Sequence, residues 1–240
     1  MHDLAVLKHL IRHRLPDTSP VGLLKTFPGS ILLFSVVVSC GLSTRHLSVE
    51  QYRPILNRFG LDYDITQKSH VLHIFTPLFV QPSPGIGWKM ICMIAFSCVM
   101  CELLAGSKRM IVTFFLSDWS ATILTSSVLA LMSHFNVERA TDAIHITDAG
   151  TSAAAVGALA AAAALLLPPR VACFAYGLVI IATFTLMDVE EFGPAVVHLS
   201  AIVVGGALGR FAWRPYVYPA IHRHLTLPFA KALRLFAHDG

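Results

Sequence analysis

An all-α polytopic membrane protein, a bundle of six transmembrane helices, is the fold the sequence predicts, and three features point there. Of its 240 residues, 55% are hydrophobic and 13% charged, against roughly a quarter charged in soluble domains, and the mean hydropathy is +0.66. Apolar runs recur along the chain at lengths that suit about 30 Å of hydrocarbon, which takes about 17 to 25 helical residues to cross. The basic residues gather in alternate segments between those runs.

A basic leader, residues 1–27, comes first. Leu4, Leu7, Ile11 and Leu15 recur in it at helical spacing beside Lys8, Arg12 and Arg14, the pattern of a helix resting on anionic headgroups. The first apolar run covers 28–43. Its Val37-Val38-Ser39-Cys40 loosely imitates a lipoprotein cleavage signal, but the leader is too long for one, which favours an uncleaved spanning helix. A long connection, about 44–83, leads through Pro82 and Pro84 to the second run, 84–105. Gly106, Ser107, Lys108 and Arg109 close that run with turn-forming and polar residues. The third run is 110–133 and the fourth 149–167, ended by Pro168, Pro169 and Arg170. Runs five and six are 171–187 and 194–211. In the tail, 212–240, Phe229, Leu233 and Phe236 lie at helical spacing beside Lys231 and Arg234. The spans therefore form one membrane domain, 28–211, between two interfacial tails. Cys40, Cys92, Cys98, Cys101 and Cys173 all sit inside apolar runs, where a thiol behaves as a small hydrophobe, so neither metal nor other cofactor is expected.

With the N-terminus in the cytoplasm, the cytoplasmic segments hold Lys8, Arg12, Arg14, Lys25, Lys108, Arg109, Arg170, Arg210, Arg214, Arg223, Lys231 and Arg234, twelve of the 18 Lys and Arg. The outer segments hold Arg45, Arg53, Arg58, Lys68 and Arg139 with most of the acids. Basic residues accumulate on the cytoplasmic side of membrane proteins, which puts both termini there and fits a bacterial cytoplasmic membrane. A net charge of +4 so distributed implies membrane lipids as neighbours and no nucleic acid.

Two stretches carry residues suited to chemistry. The fourth run opens Asp148-Ala149-Gly150-Thr151-Ser152-Ala153, and the sixth contains His198, the one histidine well inside an expected span. Both runs descend from the outer face, and both side chains lie about four residues in, roughly 5 to 7 Å deep at 1.5 Å per residue. Ala153, Gly157 and Ala161 form one stripe of small residues, and Ala201, Gly205 and Gly209 another; such stripes let backbones approach closely in lipid. Contact along them would bring a serine hydroxyl to an imidazole, which is what general-base activation of a nucleophile requires. The plainer alternative is a packing serine bonded to its own preceding turn and a histidine that bridges helices. Two further charges, Lys89 and Asp118, fall inside spans and are expected to find a partner, each other included. With Glu102 they make three intramembrane charges, few for a transport pathway.

Gly150-Thr151-Ser152-Ala153 with Gly157 resembles the GxSx serine motif of rhomboid intramembrane proteases, and His198, Ala201 and Gly205 resemble their HxxGxxxG motif with Ala in the first glycine place. Glu102 through Arg109, Glu-Leu-Leu-Ala-Gly-Ser-Lys-Arg, is similar to the rhomboid stretch that ends the second span and turns into the third. The resemblance spans about residues 70–211. It implies a six-helix fold in which Ser152 attacks a peptide carbonyl and His198 shuttles the proton, with Gly150, Thr151 and Ala153 supporting the motif, Gly157, Ala201, Gly205 and Gly209 packing helices, and Glu102 as a structural charge. The substrate it implies is the transmembrane segment of another membrane protein, cut near the outer face. The same resemblance places Met90 and Ile86 where active members tend to carry side-chain donors for the oxyanion, and Tyr52-Arg53 near the usual place of a Trp-Arg pair. The alternative is a rhomboid-like pseudoprotease that acts as a binding or scaffold subunit for a membrane partner.

Overall fold

The computed structural model describes residues 19–62, 75–144, 147–167 and 192–216. The fifth expected run and the amphipathic helices expected in both tails lie outside these residues. Within them the regular structure is helical apart from one short strand pair. The helices are α1 (Pro20–Thr26), α2 (Pro28–Thr44), α3 (Val49–Phe59), α4 (Trp88–Ala105), α5 (Ser107–His134), α6 (Glu138–Ala143), α7 (Ser152–Leu166) and α8 (Phe192–Ala207), which runs on through a π-helical turn, Leu208–Trp213. Two-residue strands, β1 (Leu61–Asp62) and β2 (Thr147–Asp148), pair antiparallel.

Three helices are long and apolar enough to cross a membrane: α4, α5 and the helical stretch Gly193–Tyr216. The apolar helices α2 and α7 are shorter, at 17 and 15 residues. The expected runs therefore need adjustment at their ends. The second becomes helical only at Trp88, because Pro84 and Gly85, the latter at φ +87, hold the chain out of helix. The fourth begins at Ser152, three residues later than expected. The third extends from Ser107 to His134, since Gly106 at φ +86 reverses the chain within one residue. A side chain at that position would be strained.

Alanine dominates α7, and ten of its residues are buried. Alanine is the best helix former, and its small side chain lets neighbours close in on every side, so α7 becomes the central element, packed against α4, α5 and α8. The two small-residue stripes meet here. A Cβ on Gly205 would fall on the carbonyl of Gly157, and one on Gly209 on that of Ala161, while one on Gly157 would strike the Ser117 side chain. Glu102, 1% exposed, accepts hydrogen bonds from the Gly29 and Ser30 amides at 3.0 and 2.6 Å and from the Ser30 hydroxyl. It thus supplies the N-terminal cap that α2 lacks in its own sequence, placing a carboxylate at the positive end of that helix.

The connection 44–83 has more structure than its sequence suggested. Ser48 and Gln51 form a reciprocal capping box that starts α3, two amide donors satisfied by two side chains. The one buried side chain of α3 is Tyr52, and a 3₁₀ turn, Pro77–Phe79, follows.

Candidate active site

The turn that delivers Ser152 is held from three directions. β2 pairs with β1, placing Asp148 opposite Leu61 and Thr147 opposite Asp62. The Gly150 amide donates to the Pro77 carbonyl at 2.9 Å, and Gly150 itself takes φ +115, which suits glycine and strains other residues. Thr151 accepts the first bond of α7, from the Ala155 amide at 3.0 Å. Its own side chain gives no cap; it is fully buried and its hydroxyl has no hydrogen-bond partner. The amides of Ser152, Ala153 and Ala154 therefore begin the helix without an intrahelical acceptor.

Ser152 is the first residue of α7, not four residues in as expected, and His198 is the seventh of α8. The structure nonetheless brings them together: His198 Nε2 lies 2.8 Å from Ser152 Oγ. With the ring proton on Nδ1, Nε2 accepts the serine hydroxyl hydrogen. Both residues are half-buried, so the pair is sheltered and still reachable. Their neighbours lock the approach, because Ala153, Val197 and Ala201 form one buried cluster with Ala121 of α5. Two residues beyond His198, Ser200 accepts a long hydrogen bond, 3.4 Å, from Thr125 of α5.

Other expected residues fall elsewhere. Ile86 and Met90 pack against the principal apolar cluster and offer no donor. Lys89 is exposed at the start of α4, Asp118 is buried in α5, and no ion pair joins them among the described residues. Arg53 is exposed, whereas its neighbour Tyr52 is 3% exposed and clamps Gln81: its hydroxyl donates to the Gln81 carbonyl at 2.7 Å and accepts from the Gln81 amide at 3.0 Å. Burial pushes the Tyr52 phenol above its ordinary pKa, which keeps that hydroxyl protonated and able to donate. Cys98 and Cys101 stand one turn apart in α4, both buried. The described residues contain no group of three or more His, Cys, Asp or Glu placed to hold a metal.

Gln81 escaped the sequence reading. Lying between Val80 and Pro82 it has no periodicity and no motif to mark it, yet it is 4% exposed and its side chain lies against the turn at Gly150.

No family model, curated protein or solved structure matches this chain.

Proposed function

We propose that the chain is an integral membrane protein of six spans with both termini in the cytoplasm, and that it is a rhomboid-like serine protease cleaving transmembrane segments near the outer face. The observation that carries this reading is the 2.8 Å contact between Ser152 Oγ and His198 Nε2, made by two residues 46 apart in sequence on adjacent apolar helices. A chance serine in an alanine-rich helix bonds to its own preceding turn. Ser152 is at the first position of its helix and has no such turn before it.

The chemistry follows from those atoms. Ser152 Oγ adds to the scissile carbonyl carbon as its proton passes to His198 Nε2, and the carbonyl oxygen becomes an oxyanion. Collapse of that intermediate breaks the C–N bond, and the imidazolium returns the proton to the leaving amine. Water then attacks the acyl-enzyme ester with His198 again as base, which releases the acid and restores Ser152. The free amides of the first turn of α7, at the positive end of the helix dipole, favour negative charge at this point.

The length of α7 supports a recessed site. Its 15 residues span about 22 Å at 1.5 Å per residue, about 8 Å less than the hydrocarbon thickness. If its inner end lies at the cytoplasmic interface, Ser152 sits below the outer surface, within reach of water yet level with an unwinding transmembrane segment.

Purified protein labels with a fluorophosphonate, which reacts with activated serines, and Ser152→Ala abolishes the labelling. An unlabelled parent protein counts decisively against catalysis. The second reading, a pseudoprotease that binds a membrane partner through the same bundle, is favoured by the apolar packing of Ile86 and Met90. Under it, Ser152→Ala leaves copurification of a stoichiometric partner intact, whereas bulky residues at Gly157 or Gly205 destroy it.

A further inference from the structure

The two positions where the rhomboid resemblance puts oxyanion donors are filled by Ile86 and Met90, both packed among apolar side chains, so a protease of this design needs a donor from elsewhere. Gln81 has the attributes of one. It is 4% exposed, and its Nε2 is buried without a hydrogen-bond partner. Buried polar groups are paired in the great majority of cases, so an orphan amide marks either a local cost the fold tolerates or a group that finds its partner only when a ligand arrives. Location separates the two. The Gln81 Oε1 lies 3.9 Å from the place a Cβ on Gly150 would occupy, and Pro82 Cδ lies 3.5 Å from it. The side-chain amide is therefore set against the turn that ends, two residues on, at Ser152. A second orphan, the Thr151 hydroxyl, lies in the same turn.

The segment that carries the amide is also fixed. Tyr52 holds the Gln81 backbone through both its N–H and its C=O, and Pro77, four residues earlier, receives the Gly150 amide. The segment 77–81 and the Ser152 turn are thus one hydrogen-bonded unit. Gln81 also lines a largely apolar cavity of about 250 Å³ with Cys40, Ile55, Phe59, Phe79 and Val80, a cavity that neither Ser152 nor His198 lines.

We propose that Gln81 is the side-chain oxyanion donor of this site, its NH₂ hydrogen-bonding the oxygen that becomes negative when Ser152 Oγ adds to a peptide carbonyl. The inference rests on the Ser152–His198 reading. Gln81 forms no bond to the substrate's carbon and takes no proton. Its hydrogen bond strengthens as charge develops on that oxygen and weakens again when the carbonyl re-forms, so it acts on the rate of acyl transfer and not on the products.

The test compares second-order rates of fluorophosphonate labelling in the purified full-length protein, its Gln81→Met and Gln81→Glu variants and Ser152→Ala, with thermal unfolding of each followed in detergent. The phosphonyl oxygen that gains charge during labelling occupies the place of the carbonyl oxygen. Loss of one oxyanion donor typically costs about a hundredfold to a thousandfold, and a loss of that size is expected in Gln81→Met and Gln81→Glu. Gln81→Met replaces an orphan amide with an apolar chain of similar size, so its unfolding temperature is expected to equal or exceed the parent's, which a purely structural role for the glutamine would not produce. Labelling of Gln81→Met within about threefold of the parent overturns the proposal while leaving the dyad standing. Slower labelling that merely tracks a lowered unfolding temperature overturns it as well. A parent protein that does not label at all overturns the dyad itself, an outcome distinct from both.

Discussion

His198 can activate Ser152 only through its ring nitrogen, so His198→Ala removes the base and leaves the alcohol in place. General-base assistance is worth about 10² to 10⁴ in rate, and fluorophosphonate labelling of His198→Ala should slow by that factor without a matching change in unfolding temperature. Labelling at the parent rate would mean that the 2.8 Å contact is structural. A second residue, Glu102, offers a test of stability alone. It satisfies the Gly29 and Ser30 amides and the Ser30 hydroxyl from a buried position, and hydrogen bonds to a charged group contribute about 1.5 to 3 kcal/mol each. Glu102→Ala is therefore expected to lower unfolding stability by about 3 kcal/mol or more, and Glu102→Gln, which keeps one carbonyl acceptor, by less. A melting curve for Glu102→Ala that overlays the parent's would remove the cap from the account of α2. Residues of this kind differ in how far the sequence reveals them. Ser152 and His198 stand out because a polar group in an apolar run needs a reason, and the small-residue stripes show which faces meet. Gln81 sits in a polar, proline-rich connection where a glutamine is unremarked, and only tertiary packing makes it buried.

At the level of elements, the contact between α7 and α8 is set by absent side chains. A Cβ at Gly205 would coincide with the backbone of Gly157, and a backbone cannot swing aside as the tip of a lysine can. Overpacking usually costs about 1 to 3 kcal/mol, and Gly205→Val should reach or exceed that range, separating the helices and breaking the hydrogen bond between Ser152 and His198. Val203, two positions away and 56% exposed, provides the control: Val203→Leu leaves both unfolding temperature and labelling at parental values. Equal tolerance of the two substitutions would show that the helices do not meet along this stripe. The apolar helices themselves were legible, to within a few residues at their ends, because hydropathy records burial and lipid exposure alike. Their starts were not, because Gly85, Gly106 and Gly150 act through positive φ, a property of the folded backbone. Nor was the β1–β2 pairing, two residues to a strand and 86 apart in sequence, too short to leave an alternating pattern. The start of α3 was readable in principle from Ser48-Val49-Glu50-Gln51, a capping-box spacing.

Across the whole molecule, large apolar side chains stay exposed on the long helices: Phe96 on α4, Ile123 and Leu131 on α5, Val203 and Phe211 on the last. In water such a surface would drive association; in lipid it is the solvated face. The uneven lengths of the helices then become a statement about depth. The 28 residues of α5 reach about 42 Å, enough to clear the roughly 30 Å core and leave Lys108 and Glu138 on opposite sides, with Lys108 on the cytoplasmic side in the orientation proposed above. Both are exposed. In intact cells a membrane-impermeant maleimide should therefore modify Glu138→Cys at once and Lys108→Cys only after permeabilisation. Because α7 is about 20 Å shorter than α5, Ser152→Cys should behave as an intermediate case, reacting from outside with a small methanethiosulfonate more slowly than Glu138→Cys and resisting a bulky maleimide. Equal reactivity at Ser152→Cys and Glu138→Cys would put the serine at the surface, where an alcohol and an imidazole have no shelter from bulk water and no lateral access to a transmembrane substrate.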